Sequence, residues 1–190
     1  GETLIGFDTG PGNAMMDDFV RKISDKHFDN NGDLASRGVS DKDMVKIFLN
    51  NKFFKKPPPK SLDRNFFILF YNNLLKKNLS TIDTLSTLGE CTVESILSGI
   101  RFCPKPIKNI LITGGGYRNK FLINLLKKKL DVKFYNEKEL GINFDYVEAE
   151  LIAFLAAKCL YNMPFTFPTT TGAIKATTGG KIFTPHKNPY

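Results

Sequence analysis

The sequence predicts an α/β protein in which helices cover a partly parallel sheet. Two observations support this fold class. A strand-like run over residues 3–7 leads into a turn that holds two glycines, and a helical pattern follows. An apolar run over residues 107–113 leads into three consecutive glycines and a second helical pattern. Strand, glycine-rich turn and helix in this order are typical of parallel sheets, whose strands are joined by helical crossovers.

The first half of the chain is predicted to be mainly helical. The helices are expected over residues 14–26, 40–49, 65–77 and 81–101. Ser40, with Asp43 three residues later, resembles a capping box, and Ser80 or Thr81 is the expected N-cap of the last helix. The triple proline at residues 57–59 interrupts any regular element, because proline has no amide hydrogen to donate.

The second half of the chain is predicted to alternate strand and helix. Residues 107–113 are the clearest buried strand, since three aliphatic residues are flanked by turn formers. The elements predicted after it are helix 119–130, strand 132–135 and the long apolar helix 147–160. Asp145 and Glu148 are expected to cap the last helix. Residues 161–190 are rich in threonine, glycine and proline, which favours an ordered loop with one strand.

Composition argues against several classes of protein. Hydrophobic residues make up 42% and charged residues 24% of the chain, which predicts a folded protein. No apolar run approaches the roughly 20 residues that span a bilayer, and no secretion signal is recognisable. The three cysteines are widely spaced, as in reduced cytosolic proteins, and two histidines are too few for a Cys/His zinc site. A cytoplasmic protein with no membrane segment and no protein-bound metal is expected.

The net charge of +8 raises the question of nucleic-acid binding. The lysines, however, are scattered in small groups, the largest of which is Lys127–Lys129. That group fits the end of a helix, where cations interact favourably with the helix dipole. A nucleic-acid interface would need a basic face with interleaved aromatic residues or a known reader motif. Neither is recognisable, so no nucleic-acid partner is predicted.

The segment from Gly6 to Asn13 is the most informative part of the sequence. It places Asp8 in a turn with Gly10 and Gly12, and the exposed backbone N–H groups of such a turn can bind an anion. A carboxylate beside a phosphate-sized site is what a kinase needs to take a proton from an attacking oxygen. The alternative is that Asp8 hydrogen-bonds its own turn, as aspartate often does.

The three glycines Gly114, Gly115 and Gly116 form a second candidate site. After a buried strand they would place backbone amides at a helix N-terminus, where a phosphate or ribose binds well. They match neither the dinucleotide-binding nor the P-loop motif, and a tight packing turn is the alternative. Four other charged residues, Asp17, Asp18, Lys60 and Arg64, have simpler explanations. The aspartates complement the helix dipole, and the cations are expected to be solvated unless they hold an anion.

These features fall together in one order, and in that order the chain resembles the C-terminal half of the anhydro-N-acetylmuramic acid kinase family. The most specific match is the Gly6–Asn13 segment with Asp17, and Gly114–Gly116 with Asn119 is the next. Further matches occur along nearly the whole chain: Pro57–Ser61, Arg64, Asp83, Thr87, Leu88, Glu90, Thr92, Gly141, Ile142, Asp145, Glu148, Ala149, Pro168, Thr171–Ala173 and Gly180–Ile182.

The resemblance implies an actin-like, two-lobed ATPase fold of the sugar kinase type, in which residues 1–190 are most of the second lobe. It implies a kinase that uses ATP and magnesium (Mg2+) to open the 1,6-anhydro ring of anhydro-N-acetylmuramic acid with water and to phosphorylate O6. It further implies that Asp8 is the general base and that Glu148 orients the water or the sugar. Gly10 and Gly12 would lie near the transferred phosphate. The adenosine would rest against Gly114, Gly115, Gly116 and Asn119.

The sequence also departs from the family pattern. The family's first phosphate loop, Gly-Thr-Ser-x-Asp-Gly, is not among these residues, and Asp63 and Cys91 replace the family's usual glycine and aliphatic residue. Three interpretations stay open. The chain is completed by a separately encoded first lobe, it is a remnant of a kinase gene, or it is a binding module without catalysis. A homodimer is a further expectation, with helix 65–77 as a contact.

Overall fold

The computed structural model describes residues 4–183, and it is mainly helical with one short parallel sheet, so the predicted α/β class is confirmed. The helices and strands are α1 (Ala14–Ile23), α2 (Lys42–Leu49), α3 (Ile68–Leu75), α4 (Thr81–Ile100), β1 (Asn109–Leu111), α5 (Lys120–Lys129), β2 (Lys133–Tyr135), α6 (Glu137–Leu140), α7 (Val147–Leu160) and α8 (Pro168–Thr171). Short 3-10 turns over Asn30–Gly32, Ala35–Arg37, Lys52–Lys55 and Gly115–Arg118 connect them.

Helix α4 is the central element of the core. It begins where predicted, because the Ser80 hydroxyl accepts a hydrogen bond from the Asp83 amide at 3.2 Å. Helices α1, α2 and α5 all pack against it, together with the turn at Ala35–Arg37. Its residues Leu85 and Leu88 are fully buried, and the apolar faces of the surrounding helices close over them. The hydrophobic core therefore lies between α4 and the helices that surround it.

A cluster of phenylalanines extends this core between α2, α3 and the turn at Lys52–Lys55. The Phe48 ring lies 4.8 Å from that of Phe67 and 5.0 Å from that of Phe70, centroid to centroid. Phe54 stacks on Phe67 at 5.6 Å with the two planes 9° apart. Such spacings are favourable for aromatic pairs. The cluster fixes the segment that leads out of α2 and into the triple proline.

The sheet is smaller and more exposed than predicted. Strands β1 and β2 are parallel, with Ile110 opposite Phe134, and α5 is the crossover between them. Within residues 4–183, β1 pairs with β2 alone, and Leu111 is 43% exposed. The prediction of a buried strand over 107–113 was therefore wrong about burial, because a two-stranded sheet leaves a face uncovered.

The predicted strand over residues 3–7 was also not found, although residue 3 lies outside the described part. Residues 4–7 take no strand assignment. The Gly6 amide donates to the Thr169 carbonyl at 3.2 Å and the Asp8 amide to the Lys60 carbonyl at 2.9 Å. The segment is thus held by single backbone hydrogen bonds to two other parts of the chain rather than by a ladder.

Two predicted helix caps were wrong. Asp41, not Ser40, is the N-cap of α2, since its carboxylate accepts from the amides of Asp43 and Met44 at 3.0 Å each. The Ser40 hydroxyl donates instead to the carboxylate of Glu90 on α4. Neither Asp145 nor Glu148 caps α7. Tyr146 is its N-cap residue, without a side-chain hydrogen bond, and Asp145 pairs with Arg118.

The last part of the chain is more open than its apolar sequence suggested. Helix α7 has the predicted bounds, but Leu151, Ile152 and Phe154 are 51%, 65% and 54% exposed. After it, the predicted single strand is replaced by α8 and by one antiparallel bridge between Thr166 and Thr177. The remainder of that prediction, residues 184–190, lies outside the described residues.

Candidate functional site

Asp8 is exposed and is bound by a neighbouring loop. Its amide donates to the Lys60 carbonyl at 2.9 Å, and its carboxylate Oδ2 accepts from the Leu62 amide at 2.7 Å. The alternative in which Asp8 hydrogen-bonds its own turn is therefore not what the structure shows. The carboxylate is oriented by a loop more than fifty residues away in sequence, and one accepted hydrogen bond leaves further lone pairs of its oxygens free.

Gly10 and Gly12 have different structural roles. A Cβ on Gly10 would overlap the Ser95 hydroxyl and lie 2.5 Å from Ser95 Cβ, so glycine lets the loop touch α4. Gly12 has a φ of 56°, in the left-handed region that favours glycine, and no atom lies within 4 Å of the position of a Cβ. Its carbonyl accepts from the Thr92 hydroxyl at 2.7 Å. Gly10 therefore packs the loop onto α4, and Gly12 faces open space.

The second glycine loop is equally open. Gly114 has a φ of 69°, and no atom lies within 4 Å of a Cβ placed on Gly114, Gly115 or Gly116. A 3-10 turn over Gly115–Arg118 separates it from α5. Asn119 is buried and is the N-cap of α5, because its side-chain oxygen accepts from the Leu122 amide at 3.1 Å. The loop presents backbone to solvent, whereas Asn119 stabilises the helix behind it.

The two glycine loops face one cleft with a volume of about 650 Å³. Its lining includes Gly12, Asn13, Asp17, Thr92, Gly114, Gly115, Gly116 and Glu148. The structure thus brings together Gly12, the glycine triplet and Glu148, which the sequence singled out separately. Asp8, Gly10 and Asn119 lie outside the lining of this cleft, with Asp8 four residues before Gly12 along the same loop.

A second cavity, of about 520 Å³, adjoins the first. Asn13, Asp17 and Gly115 line both cavities, and Asn119 with Tyr117, Arg118 and Asp145 lines the second. The two cavities together offer room for an elongated ligand, which would lie beside the first turn of α1 where they meet. Of the predicted nucleotide-binding residues, Asn119 belongs to this second cavity.

Asp17 lies at the candidate site, although the sequence analysis gave it no role there beyond its place in the family match. It was predicted to complement the helix dipole, but it is half-buried at the junction of the two cavities. Burial raises the pKa of its carboxyl, the charge of Arg21 acts against this rise, and Asp18 adds to it. Its place in the first turn of the helix that follows the glycine loop was the available signal. Asp18 is engaged elsewhere, in ion pairs with Arg21 and Arg64 at 2.5 Å each.

Lys60 was predicted to be solvated, and this was wrong. It is 6% exposed, and its ammonium donates to the Phe53 carbonyl at 3.1 Å. Burial, with the nearby charges of Arg101 and Lys56, lowers its pKa. Arg64 is exposed and pairs with Asp18. No sequence signal near the triple proline indicated that one of these two cations would be enclosed.

Four further observations concern the described residues. No helix within residues 4–183 is long and apolar enough to cross a membrane. In the same range no group of three or more Cys, His, Asp and Glu side chains is placed to hold a metal ion. The cysteines are free thiols, and burial raises the pKa of Cys91 far above its usual value. Lys127–Lys129 form the last turn of α5, as predicted.

Two glycine loops line one cleft, and each precedes a helix. Backbone amides in such loops and at helix N-termini are groups that bind phosphate in α/β proteins. The family model described as "Anhydro-N-acetylmuramic acid kinase" matches residues 1–185. The chain belongs to the anhydro-N-acetylmuramic acid kinase family of enzymes.

Individual relatives agree with this assignment. An anhydro-N-acetylmuramic acid kinase of Rhodopseudomonas palustris strain BisB18 is 42% identical over 185 residues, which are 97% of this chain and 50% of the relative. The Nitrobacter winogradskyi protein of the same name is 37% identical over 185 residues. The one from Zymomonas mobilis is 37% identical over 179 residues, 94% of this chain and 48% of the relative. The chain therefore spans about half the length of the curated relatives it matches.

Proposed function

We propose that the chain is the C-terminal lobe of an ATP-dependent anhydro-N-acetylmuramic acid kinase with an actin-like fold. The complete enzyme would open the 1,6-anhydro ring of its sugar with water and phosphorylate O6. The products would be N-acetylmuramic acid 6-phosphate and ADP, a step of cell-wall recycling in the cytoplasm. The observation that carries the proposal is the cleft that Gly12, Gly114–Gly116 and Glu148 line together.

The two glycine loops are suited to the nucleotide. Around Gly12 and Gly114 the backbone takes left-handed conformations, and the space beside it is open. Phosphate oxygens can therefore approach the amides without meeting a Cβ. The adenosine would lie along Gly114–Gly116 and reach the second cavity beside Asn119, which supports this wall as the cap of α5. Gly10 would act indirectly, by seating the loop on α4.

Asp8 would be the general base. Its carboxylate takes a proton from the water that attacks the anomeric carbon, while the bond from that carbon to O6 breaks and O6 becomes the phosphoryl acceptor. The Leu62 amide donates to one carboxylate oxygen and fixes its position, so that the other oxygen can face the water. Because Asp8 precedes Gly12 on one loop, the sugar would lie beside the phosphate-binding end of the cleft. Glu148, which lines the cleft, would orient the water or the sugar.

Magnesium bound to the ATP phosphates would neutralise charge that develops during phosphoryl transfer. Asp17 and Glu148 both line the cleft, and their carboxylates are the kind of oxygen ligand that magnesium prefers. These two carboxylates would hold the ion through its waters. The half-buried Asp17 carboxyl must be ionised to do so.

The complete site would also need the family's other phosphate loop, Gly-Thr-Ser-x-Asp-Gly, which these 190 residues do not contain. Electrostatic preorganisation works best when donors surround the transferred group. We therefore expect turnover only when the first lobe of a relative is supplied. The alternative, a nucleotide- or sugar-binding module without catalysis, predicts binding of ATP that never leads to turnover.

The test is a coupled assay of ADP release with ATP, magnesium and anhydro-N-acetylmuramic acid, run with the chain alone and with an added first lobe. Asp8→Asn should lower turnover about a hundred- to ten-thousand-fold, the usual contribution of a general base. Asp25→Asn, an exposed aspartate after α1, is the matched control and should have no effect. Full activity of Asp8→Asn would refute the assignment, and ATP binding without turnover in every mixture would favour the alternative.

A further inference from the structure

Lys60 lies in a cage of aromatic rings. Its ammonium nitrogen is 4.5 Å from the centroid of the Phe53 ring, 4.6 Å from that of Phe102 and 5.8 Å from that of Phe7. The Phe7 and Phe102 rings pack edge to face at 6.1 Å. A cation over aromatic faces is attracted by their quadrupoles, most strongly where water is excluded. The charge is therefore compensated within the cage and by the Phe53 carbonyl.

The same lysine is tied to Asp8 through the backbone. The Lys60 carbonyl accepts from the Asp8 amide at 2.9 Å, and the Leu62 amide donates to the Asp8 carboxylate at 2.7 Å. Phe7, one wall of the cage, directly precedes Asp8. The segment around Lys60 thus touches the Asp8 segment at three points: one ring, one backbone hydrogen bond and one hydrogen bond to the carboxylate.

A stable core alone would not require a charge here. Enclosing an ammonium is unfavourable unless it is paired, and methionine would fill the same space without that penalty. What the ammonium adds is a pair of directional contacts that a methionine could not make. It joins the carbonyl of Phe53 to a ring that precedes Asp8, and so links the end of the phenylalanine cluster to the candidate site.

We propose that Lys60 is a positioning residue for Asp8: it locks the 60–62 loop against the Asp8 segment and so orients the carboxylate. The catalytic part of this inference rests on the proposed function, in which Asp8 is the general base. The clamp itself does not rest on it, and the experiment separates the two.

The first measurement is hydrogen exchange by NMR on the full chain, comparing wild type with Lys60→Met and with Lys52→Met. Lys52 is an exposed lysine eight residues earlier and is the matched control. In Lys60→Met the amides of Asp8 and Leu62 should exchange at least about tenfold faster, while amides in the middle of α4 keep their rates. Unchanged exchange at Asp8 and Leu62 would overturn the proposal, and so would equal acceleration throughout α4.

A second variant covers the case in which Lys60→Met does not fold. Phe102→Leu removes one wall of the cage and keeps both the lysine and an apolar filling. It should accelerate exchange at Asp8 and Leu62 in the same local pattern, by a smaller factor. If exchange at these two amides stays at the wild-type rate in Phe102→Leu, the cage does not hold the clamp.

The second measurement is turnover in the reconstituted mixture. Lys60→Met should lower kcat about tenfold to a hundredfold, as expected for a slightly misplaced base, with KM for ATP unchanged. In an Asp8→Asn background it should cause no further loss, because the lysine acts through the aspartate. A further loss there would overturn the proposal. Absence of turnover in wild type would count against the proposed function only, since hydrogen exchange still decides whether the clamp exists.

Discussion

The contact between Gly10 and α4 allows a quantitative prediction. A Cβ at residue 10 would overlap the Ser95 hydroxyl and lie 2.5 Å from Ser95 Cβ. Ser95 is 1% exposed and its hydroxyl donates to the Thr92 carbonyl at 2.7 Å, so the side chain has little freedom to move aside. Overpacking of this kind costs about 1–3 kcal/mol. The perturbation is therefore Gly10→Ala, with a loss of that size in the free energy of unfolding.

The assay is urea unfolding of single and double variants. Gly10→Ala in a Ser95→Gly background should cost almost nothing more, because the clashing side chain is gone. Ser95→Ala should not restore stability, since its Cβ remains at 2.5 Å. Gly12→Ala, where no atom lies within 4 Å, should lose only the roughly 1–2 kcal/mol of a left-handed alanine, whatever residue 95 is. Wild-type stability of Gly10→Ala, or equal losses with serine and glycine at 95, would refute the packing argument.

Three further predictions concern stability and reactivity. Burial alone would raise the pKa of the Glu90 carboxyl, but hydrogen bonds from Lys42 and Ser40 outweigh it, and the net shift is downward. Ionised Glu90 therefore stabilises the fold above the ordinary glutamate pKa of about 4.3, and this stabilisation is lost as the pH falls through the lower pKa of the folded protein. Between these two pKa values the free energy of unfolding should fall more with decreasing pH in wild type than in Glu90→Gln. Asn119→Ala should lower the free energy of unfolding by about 1 kcal/mol in urea titrations, whereas Asn119→Asp, which keeps a capping oxygen, should not. Cys91 should react with a thiol reagent only in denaturant, since burial raises its pKa, and reaction in native buffer would contradict the buried position.

Elements with strong local signals were predictable from the sequence. The capping serine at Ser80 gave the start of α4, and the order strand, glycine turn, helix, strand was confirmed over residues 109–135. Each of these features is determined by residues within a few positions of one another.

Features that depend on distant neighbours were not predictable. Whether β1 is covered depends on which strands pair with it, and whether Lys60 is solvated depends on Phe7 and Phe102. Ser40 is a good N-cap residue by type, but Glu90, fifty residues away, takes its hydroxyl. The cleft itself was inferred only through a family resemblance, because its two loops are a hundred residues apart.

Helix α4 carries small residues at the positions where other segments of the chain pack closest to it. Thr9 reaches Gly99, Gly10 meets Ser95, and the Phe121 ring lies against Gly89, each within 2.5 Å of where an added Cβ would sit. In a saturation mutagenesis library, positions 89 and 99 of α4 should therefore favour glycine over every residue with a Cβ, and position 95 should accept only small residues. Positions that lose stability in such a library would then mark the face of α4 against which the segments carrying both glycine loops pack.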